Sequence, residues 1–206
     1  MQNLDVSGIL DLYRQGKFPM ADAPGSPYLS IIEPEFRGII PLNGLHISRS
    51  LAKFIKKTDL TVSVDTAFDH VVSACAKTRP REGGGTWISA ALKDIYSVFF
   101  AHGHAHSVEV WEDGGTLVGG LFGVCIGGAF FGESMFSRTA NASKLALVHL
   151  VAQLNTAGYR LLDTQYMTDH LESLGGIEIS QQAYLKRLEP ALKAHAAPLI
   201  TGRSQL

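Results

Sequence analysis

Apolar residues fall at Val6, Ile9, Leu10 and Tyr13. That is the three-and-four spacing of one helix face, so the pattern predicts a helix over 6–14 closed by Gly16. A turn-rich stretch follows over 18–27, with Pro19, Pro24, Gly25 and Pro27, and Pro34, Gly38 and Pro41 extend the irregular run. Ser48 or Ser50 can cap a helix that carries Leu51, Phe54 and Ile55 on one face. Alternation predicts a strand over 60–64, and a helix follows over 67–76. The stripe Leu92, Ile95, Tyr96 and Phe99 marks another helix over 89–102. Alternation over 106–111, the turn signal Asp113-Gly114-Gly115 and a strand over 117–126 read as a β-hairpin. The strand holding Phe130-Phe131 continues the meander. An amphipathic helix opens at Asn141-Ala142-Ser143-Lys144, runs to 157 and ends at Gly158. A short apolar run over 159–163 suits a buried strand. Hairpin, strand, long helix and buried strand follow in that order. The segment 194–206 is small and polar, and is expected to fray.

Composition changes this picture little. The chain has 206 residues, 46% hydrophobic and 18% charged, enough to bury a real core. No apolar run reaches membrane-spanning length. The first residues lack the basic and apolar parts of a signal peptide, so a cytoplasmic protein is expected. Cys75 and Cys125 lack metal-like spacing and read as reduced, inert core residues. A net charge of -1 gives no whole-molecule case for binding nucleic acid, so any such binding must come from a local patch. One candidate is the helix near 48–57, where Arg49, Lys53, Lys56 and Lys57 recur at i, i+4, i+7 and i+8. Phe36 to Thr58 contains no acid, and Arg37 adds to the run. Lys77, Arg79 and Arg81 form a second basic cluster ahead of the flexible joint Gly83-Gly84-Gly85. A one-sided basic helix suits a phosphate backbone, and it also suits a plain solvated face.

Candidate chemistry sits in two places. Glu133 lies where a strand ends, among aromatic and thioether side chains. A carboxylate there needs a cation or hydrogen-bond donors, which makes it a candidate ligand-binding acid; the alternative is a solvated loop glutamate. Asp163-Thr164-Gln165 closes the buried strand, where open sheets place ligands. On an extended segment Asp163 and Gln165 share a face and could hold an amine and steady a developing charge. A strand-end cap is the alternative. His102, His104 and His106 alternate, but Gly103 separates them and no acidic cluster accompanies them, so a zinc site is not expected.

Several strings, taken together and in order, resemble one family. They are Leu12-Tyr13-Arg14-Gln15-Gly16-Lys17-Phe18-Pro19, His46-Ile47-Ser48-Arg49-Ser50 and Gly85-Thr86-Trp87-Ile88. The run 102–111, Gly132-Glu133-Ser134-Met135-Phe136-Ser137-Arg138, Asn141-Ala142-Ser143-Lys144 and Asp163-Thr164-Gln165 complete them. The chain resembles the bacterial leucyl/phenylalanyl-tRNA–protein transferases over nearly its whole length.

The resemblance implies an α+β fold, with a small N-terminal domain over 1–40 and a mixed-sheet domain like the GNAT acetyltransferases over 41–206. It implies transfer of Leu or Phe, less often Met, from aminoacyl-tRNA to an N-terminal Arg or Lys of a protein, marking it for proteolysis. No metal or coenzyme is implied, and a monomer is expected. Asp163 is then expected to accept the amine's proton, directly or through Gln165, and Gln165 to hold the amine. Glu133 contacts the donor's α-amino group. Leu121, Phe130, Met135, Leu147, Leu150 and Leu162 form the donor side-chain pocket, with Ser134 among the substrate contacts. The basic residues Arg49, Lys53, Lys56, Lys57, Lys77, Arg79 and Arg81 meet the tRNA backbone. Many members carry Trp where this chain has Met20, and a Trp pair near Ile31-Ile32. Tyr13, Trp87 or Tyr28 is expected to supply the missing adenine stacking. Thr164, a Cys in some members, is expected to face away from the site. The other readings are an acyl-CoA-dependent N-acetyltransferase on the same core and a non-catalytic tRNA-binding module.

Overall fold

The computed structural model describes residues 6–22, 26, 28–78 and 87–204. Arg79, Arg81, the joint 83–85 and part of the turn-rich stretch lie outside the described residues. The first elements are α1 (Val6–Arg14), β1 (Phe18–Ala21), β2 (Leu29–Ile32) and β3 (Phe36–Ile39). Then come α2 (Arg49–Ile55), β4 (Thr61–Val64), α3 (Phe68–Thr78) and α4 (Ala90–Ala101). The hairpin is β5 (Ala105–Glu112) with β6 (Thr116–Ile126), continued by β7 (Ala129–Ser137). The remainder is α5 (Ala142–Ala157), β8 (Leu161–Gln165), α6 (Asp169–Glu172), β9 (Ile177–Ser180), α7 (Gln181–Leu192) and β10 (Gly202–Ser204).

The caps explain several boundaries. The Ser48 hydroxyl accepts from Leu51 N at the start of α2, and the Ser89 hydroxyl accepts from Leu92 N at the start of α4. Each satisfies one orphan donor of a first turn. Asn141, ahead of α5, is left-handed and makes no side-chain cap. The Ser137 hydroxyl takes that task, accepting from Ser143 N at 3.2 Å.

Eight strands form one sheet in the order β10-β4-β5-β6-β7-β8-β3-β9. All neighbours are antiparallel except β7 and β8, which α5 connects in parallel. The architecture is α+β. Two cores flank the sheet. One joins α1, α3, α4 and α7 to Phe122, Val124, Phe131 and Phe136; the other joins α2 and α5 to Val62, Val108, Leu121 and Phe130. A buried carboxylate, Glu109, ties the segment ahead of α3 to the sheet, accepting from Ser63, Ser107 and Thr66 side chains.

Three parts differ from the sequence pattern. The turn-rich stretch holds two strands, since β1 pairs antiparallel with β2 from Phe18↔Ile32 to Ala21↔Leu29. Pro19 is tolerated because a two-stranded ribbon has only edge strands. The described part of the segment 194–206, residues 194–204, is not frayed. Leu199 is buried and β10 pairs with β4. On its way there the chain crosses α5, where Ile200 N donates to Gln153 Oε1 at 3.2 Å. That cover explains why α5 is buried around most of its circumference instead of being amphipathic. Finally, β3 lies inside the main sheet between β8 and β9, while α1 and Phe18 share a core with the sheet.

Candidate active site

The site begins with a break in register. Gly123 pairs with Gly132, but Phe122 pairs with Ser134, so Glu133 is an extra residue bulged out of β7. A bulge re-aims a side chain, and this one carries a carboxylate. On its other edge β7 pairs with β8 only from Ala129↔Leu161 to Phe131↔Asp163. Beyond that pair the strands part. A cavity of about 340 Å³ opens between them, in the size range of small-ligand sites.

Leu121, Met135, Leu147, Leu150 and Leu162 line its apolar part, with Phe122. Glu133, Ser134, Gln165, Thr164, Thr168 and His170 supply polar groups. Met20, Trp87 and Tyr166 stand among the wall residues, Tyr166 being 48% exposed. The fold therefore brings most of the expected substrate contacts together. Three of them do not line the cavity: Tyr13, Phe130 and Asp163 are each 0% exposed. Tyr28, the other expected stacking ring, is exposed but is not part of the wall. Thr164 does not face away: it lines the cavity, and its buried hydroxyl has no hydrogen-bond partner among the described residues.

Glu133 is 9% exposed and meets three donors. Tyr13 OH donates to Oε1 at 2.7 Å, Gln165 Nε2 donates to Oε1 at 3.0 Å, and Tyr96 OH donates to Oε2 at 2.8 Å. Burial pushes its pKa up to about 7, helped by the Asp163 charge and opposed by those three hydrogen bonds. Burial and the Glu133 charge push both phenols well above the ordinary tyrosine value, so they remain donors. The Tyr13 ring packs on Phe131 with centroids 5.1 Å apart and so is not available to a base.

Asp163 is held in a different way. Arg37 Nε donates to its Oδ1 at 3.0 Å and Nη2 to its Oδ2 at 2.6 Å. Tyr184 OH donates to Oδ2 at 2.7 Å, and Gln165 N donates to Oδ1 at 2.7 Å. Those donors fill the four acceptor sites of a carboxylate. Arg37 lies between the Phe18 and Tyr184 rings, 4.8 and 4.7 Å from their centroids. Burial alone lowers its pKa, but the Asp163 charge and hydrogen bonds outweigh this and raise it. Asp163 and Gln165 do not share a face. Gln165 has φ 63°, and this left-handed turn breaks the two-residue alternation. Asp163 enters the core, and Gln165 turns to the cavity.

Sequence reasoning misses Arg37, Tyr96 and Tyr184. The charge pattern groups Arg37 with the basic surface run, yet the residue is wholly buried. The usable signal is its place ahead of Gly38-Ile39-Ile40, where a strand would bury a cation that then needs an acid. Tyr96 falls on an apolar stripe, and nothing in its spacing points to its hydroxyl. Arg49, Lys53, Lys56, Lys57 and Lys77 are exposed, with no acidic partner within 4 Å among the described residues. Lys77 also lines a second cavity with His70, Trp111 and Arg138. His106 pairs with Asp65 at 2.7 Å, and no cluster among the described residues could hold a metal ion. No helix among them is long and apolar enough to cross a membrane.

A family model described as "Leucyl/phenylalanyl-tRNA protein transferase" matches residues 39–189. A Caulobacter vibrioides protein named leucyl/phenylalanyl-tRNA–protein transferase is 50% identical over 187 residues, 91% of this chain and 85% of its own length. One of that name from Rhodopseudomonas palustris is 49% identical over 189 residues, 92% and 84% of the two chains. A third, from Rhodospirillum rubrum, is 50% identical over 181 residues, 88% and 84%. Among solved structures, L-PGS from Bacillus licheniformis aligns over 68% of this chain and 52% of its own, at 13% identity and a TM-score of 0.42.

Proposed function

The chain belongs to the leucyl/phenylalanyl-tRNA–protein transferase family, and from that premise we propose that it moves Leu or Phe from aminoacyl-tRNA to an N-terminal Arg or Lys of a protein. It is an aminoacyltransferase. The observation that carries the substrate assignment is the cavity itself. Its apolar part is built from Leu121, Met135, Leu147, Leu150 and Leu162, and the polar groups of Glu133, Ser134 and Gln165 share its wall. The donor side chain occupies the apolar part. Unbranched Met135 adapts to either side chain, and an apolar pocket discriminates such shapes by only about 1–3 kcal/mol.

The donor is already an activated ester. The enzyme's task is to desolvate and position an amine whose pKa is about 7.7–8.0, and juxtaposition supplies much of the acceleration. Gln165 holds that amine. Trp87 and Met20 take the terminal adenosine, and the exposed cations Arg49, Lys53, Lys56, Lys57 and Lys77 take the phosphate backbone. Charged tRNA as donor supports a cytoplasmic reaction. The GNAT-like reading of 41–206 is supported by the parallel pair β7 and β8, joined through α5 and then splayed. On this reading 1–40 is a small unit whose described residues pack on the larger one and lend β3 to its sheet.

The test is transfer of radiolabelled Leu from charged tRNA to a peptide beginning with Arg, with peptides beginning with Asp and Ala as controls. Transfer to the Arg peptide alone is expected. No transfer from a folded sample would overturn the assignment.

A further inference from the structure

We propose that Glu133, and not Asp163, takes the proton shed by the attacking amine, and that Asp163 is a positioning residue that holds Gln165 in place. The inference rests on the transferase reading above.

Asp163 has no open acceptor site to offer an incoming amine. All four acceptor sites are taken by Arg37, Tyr184 and the Gln165 backbone, and the residue is 0% exposed. A proton there would have to displace one of these donors or turn the Tyr184 hydroxyl from donor to acceptor. Its bond to Gln165 N has another use. Gln165 is not a residue that favours a positive φ, and the carboxylate holds its N–H in that turn. The turn carries the Gln165 side chain into the cavity wall, where Nε2 reaches Glu133. With the NH₂ group so engaged, the amide oxygen remains as an acceptor for an incoming amine.

Glu133 has what Asp163 lacks. It lines the cavity. Among the described residues its Oε1 accepts two hydrogen bonds and its Oε2 one, from Tyr96, which leaves Oε2 one acceptor site. Gln165 and Glu133 line the same cavity and are hydrogen-bonded to each other, so the proposal sets an amine held by Gln165 Oε1 within reach of that site.

The step balances without a co-reactant. The amine enters neutral and its lone pair forms the N–C bond to the ester carbonyl carbon, whose π pair moves onto oxygen. The nitrogen, now cationic, gives one proton to Glu133. The oxygen's pair re-forms C=O, the C–O3′ bond breaks, and Glu133 returns the proton to the departing O3′. The products are an amide and a free 3′ hydroxyl, with Glu133 ionised again.

The surroundings set the working pH. Tyr13 from α1, Tyr96 from α4 and Gln165 from β8 face Glu133 directly; Asp163, Arg37 and Tyr184 lie behind Gln165, and His170 lines the same cavity. Burial brings the Glu133 carboxyl to about 7, close to the amine it serves, as general-base catalysis favours. The carboxylate is the active form, so activity is present above this pKa and lost as pH falls through it.

The experiment measures kcat/KM for an Arg peptide with Leu-tRNA as donor, from pH 5 to 7.5. In the wild type two groups must be deprotonated, the amine and Glu133, so the rate should fall about 100-fold per pH unit well below 7. Glu133→Gln should lose on the order of 10²–10⁴-fold at pH 7.5 and fall only about tenfold per unit, because the amine alone remains. Asp163→Asn should be slower than the wild type yet keep the steep limb. Equal slopes in the wild type and Glu133→Gln would overturn the proposal, as would a tenfold slope in Asp163→Asn. Should circular dichroism show Glu133→Gln unfolded, Tyr96→Phe decides. Removing one donor to the carboxylate should move the steep limb to higher pH, and an unmoved limb would refute the assignment. A wild type that transfers nothing would instead remove the transferase premise, a result distinct from any change of slope.

Discussion

Arg37 is among the largest side chains hidden completely among the described residues, and it is tolerated because every direction is answered. Asp163 meets two of its nitrogens, Gly16 O accepts from Nη1 at 2.9 Å, and two rings cover its faces. Removing one partner of a buried pair leaves the other charge stranded, which costs about 3–5 kcal/mol. Arg37→Ala should lower unfolding stability by about that amount in urea titration, while an exposed control, Arg14→Ala, should change it by less than about 1 kcal/mol. Arg37→Lys should also destabilise, since an ammonium cannot make the bidentate contact. This pair was not legible in the sequence. Its members stand 126 positions apart, and a charge count along the chain cannot tell a buried guanidinium from a solvated one. Glu133 was legible, because a carboxylate among Phe131, Met135 and Phe136 demands donors wherever it lies. The donors themselves, Tyr13 and Tyr96, come from helices far away in sequence.

At the scale of elements, the site depends on two departures from regular pairing, the Glu133 bulge and the parting of β7 from β8. Gly123 makes the bulge possible. A Cβ there would overlap the Phe131 carbonyl oxygen and the Phe130 ring. Gly123→Ala should therefore cost about 1–3 kcal/mol, the usual range for overpacking, and transfer activity should fall further than stability alone explains, because Glu133 is re-aimed. A thermal melt and the Leu transfer assay on the same sample check this; activity retained in full would show that the bulge survives the substitution. The elements were largely legible: serine caps at 48 and 89 and a glycine at 158 bound the helices where the pattern expects them. The left-handed turn at Gln165 was not, since its cause is a hydrogen bond to a side chain and not a residue preference. The burial of α5 was not legible either, because its cover arrives from residues 196–200.

The whole molecule carries a formal charge of -1, so nucleic-acid affinity has to come from where charge is placed. Arg49 and Lys53 of α2, with Lys56 and Lys57 just past its end, are exposed and have no acidic partners among the described residues. Replacing Lys53, Lys56 and Lys57 together by Ala should weaken tRNA binding and flatten its logarithmic salt dependence, by up to about 0.9 for each phosphate no longer neutralised. A filter-binding titration at several salt concentrations reads the slope, and an unchanged slope would place the tRNA on another face. The position of β3 has one more consequence. A ribosome releases Arg37 early and Asp163 only after a further 126 residues, so β3 cannot take its place between β8 and β9 in a growing chain. Non-local pairing of this kind folds slowly. The guanidinium, its two rings and the carboxylate therefore assemble after most of the polypeptide has been made. Nascent fragments that stop short of β8 lack Gln165 as well as the second wall of the cleft, and so hold no transfer site.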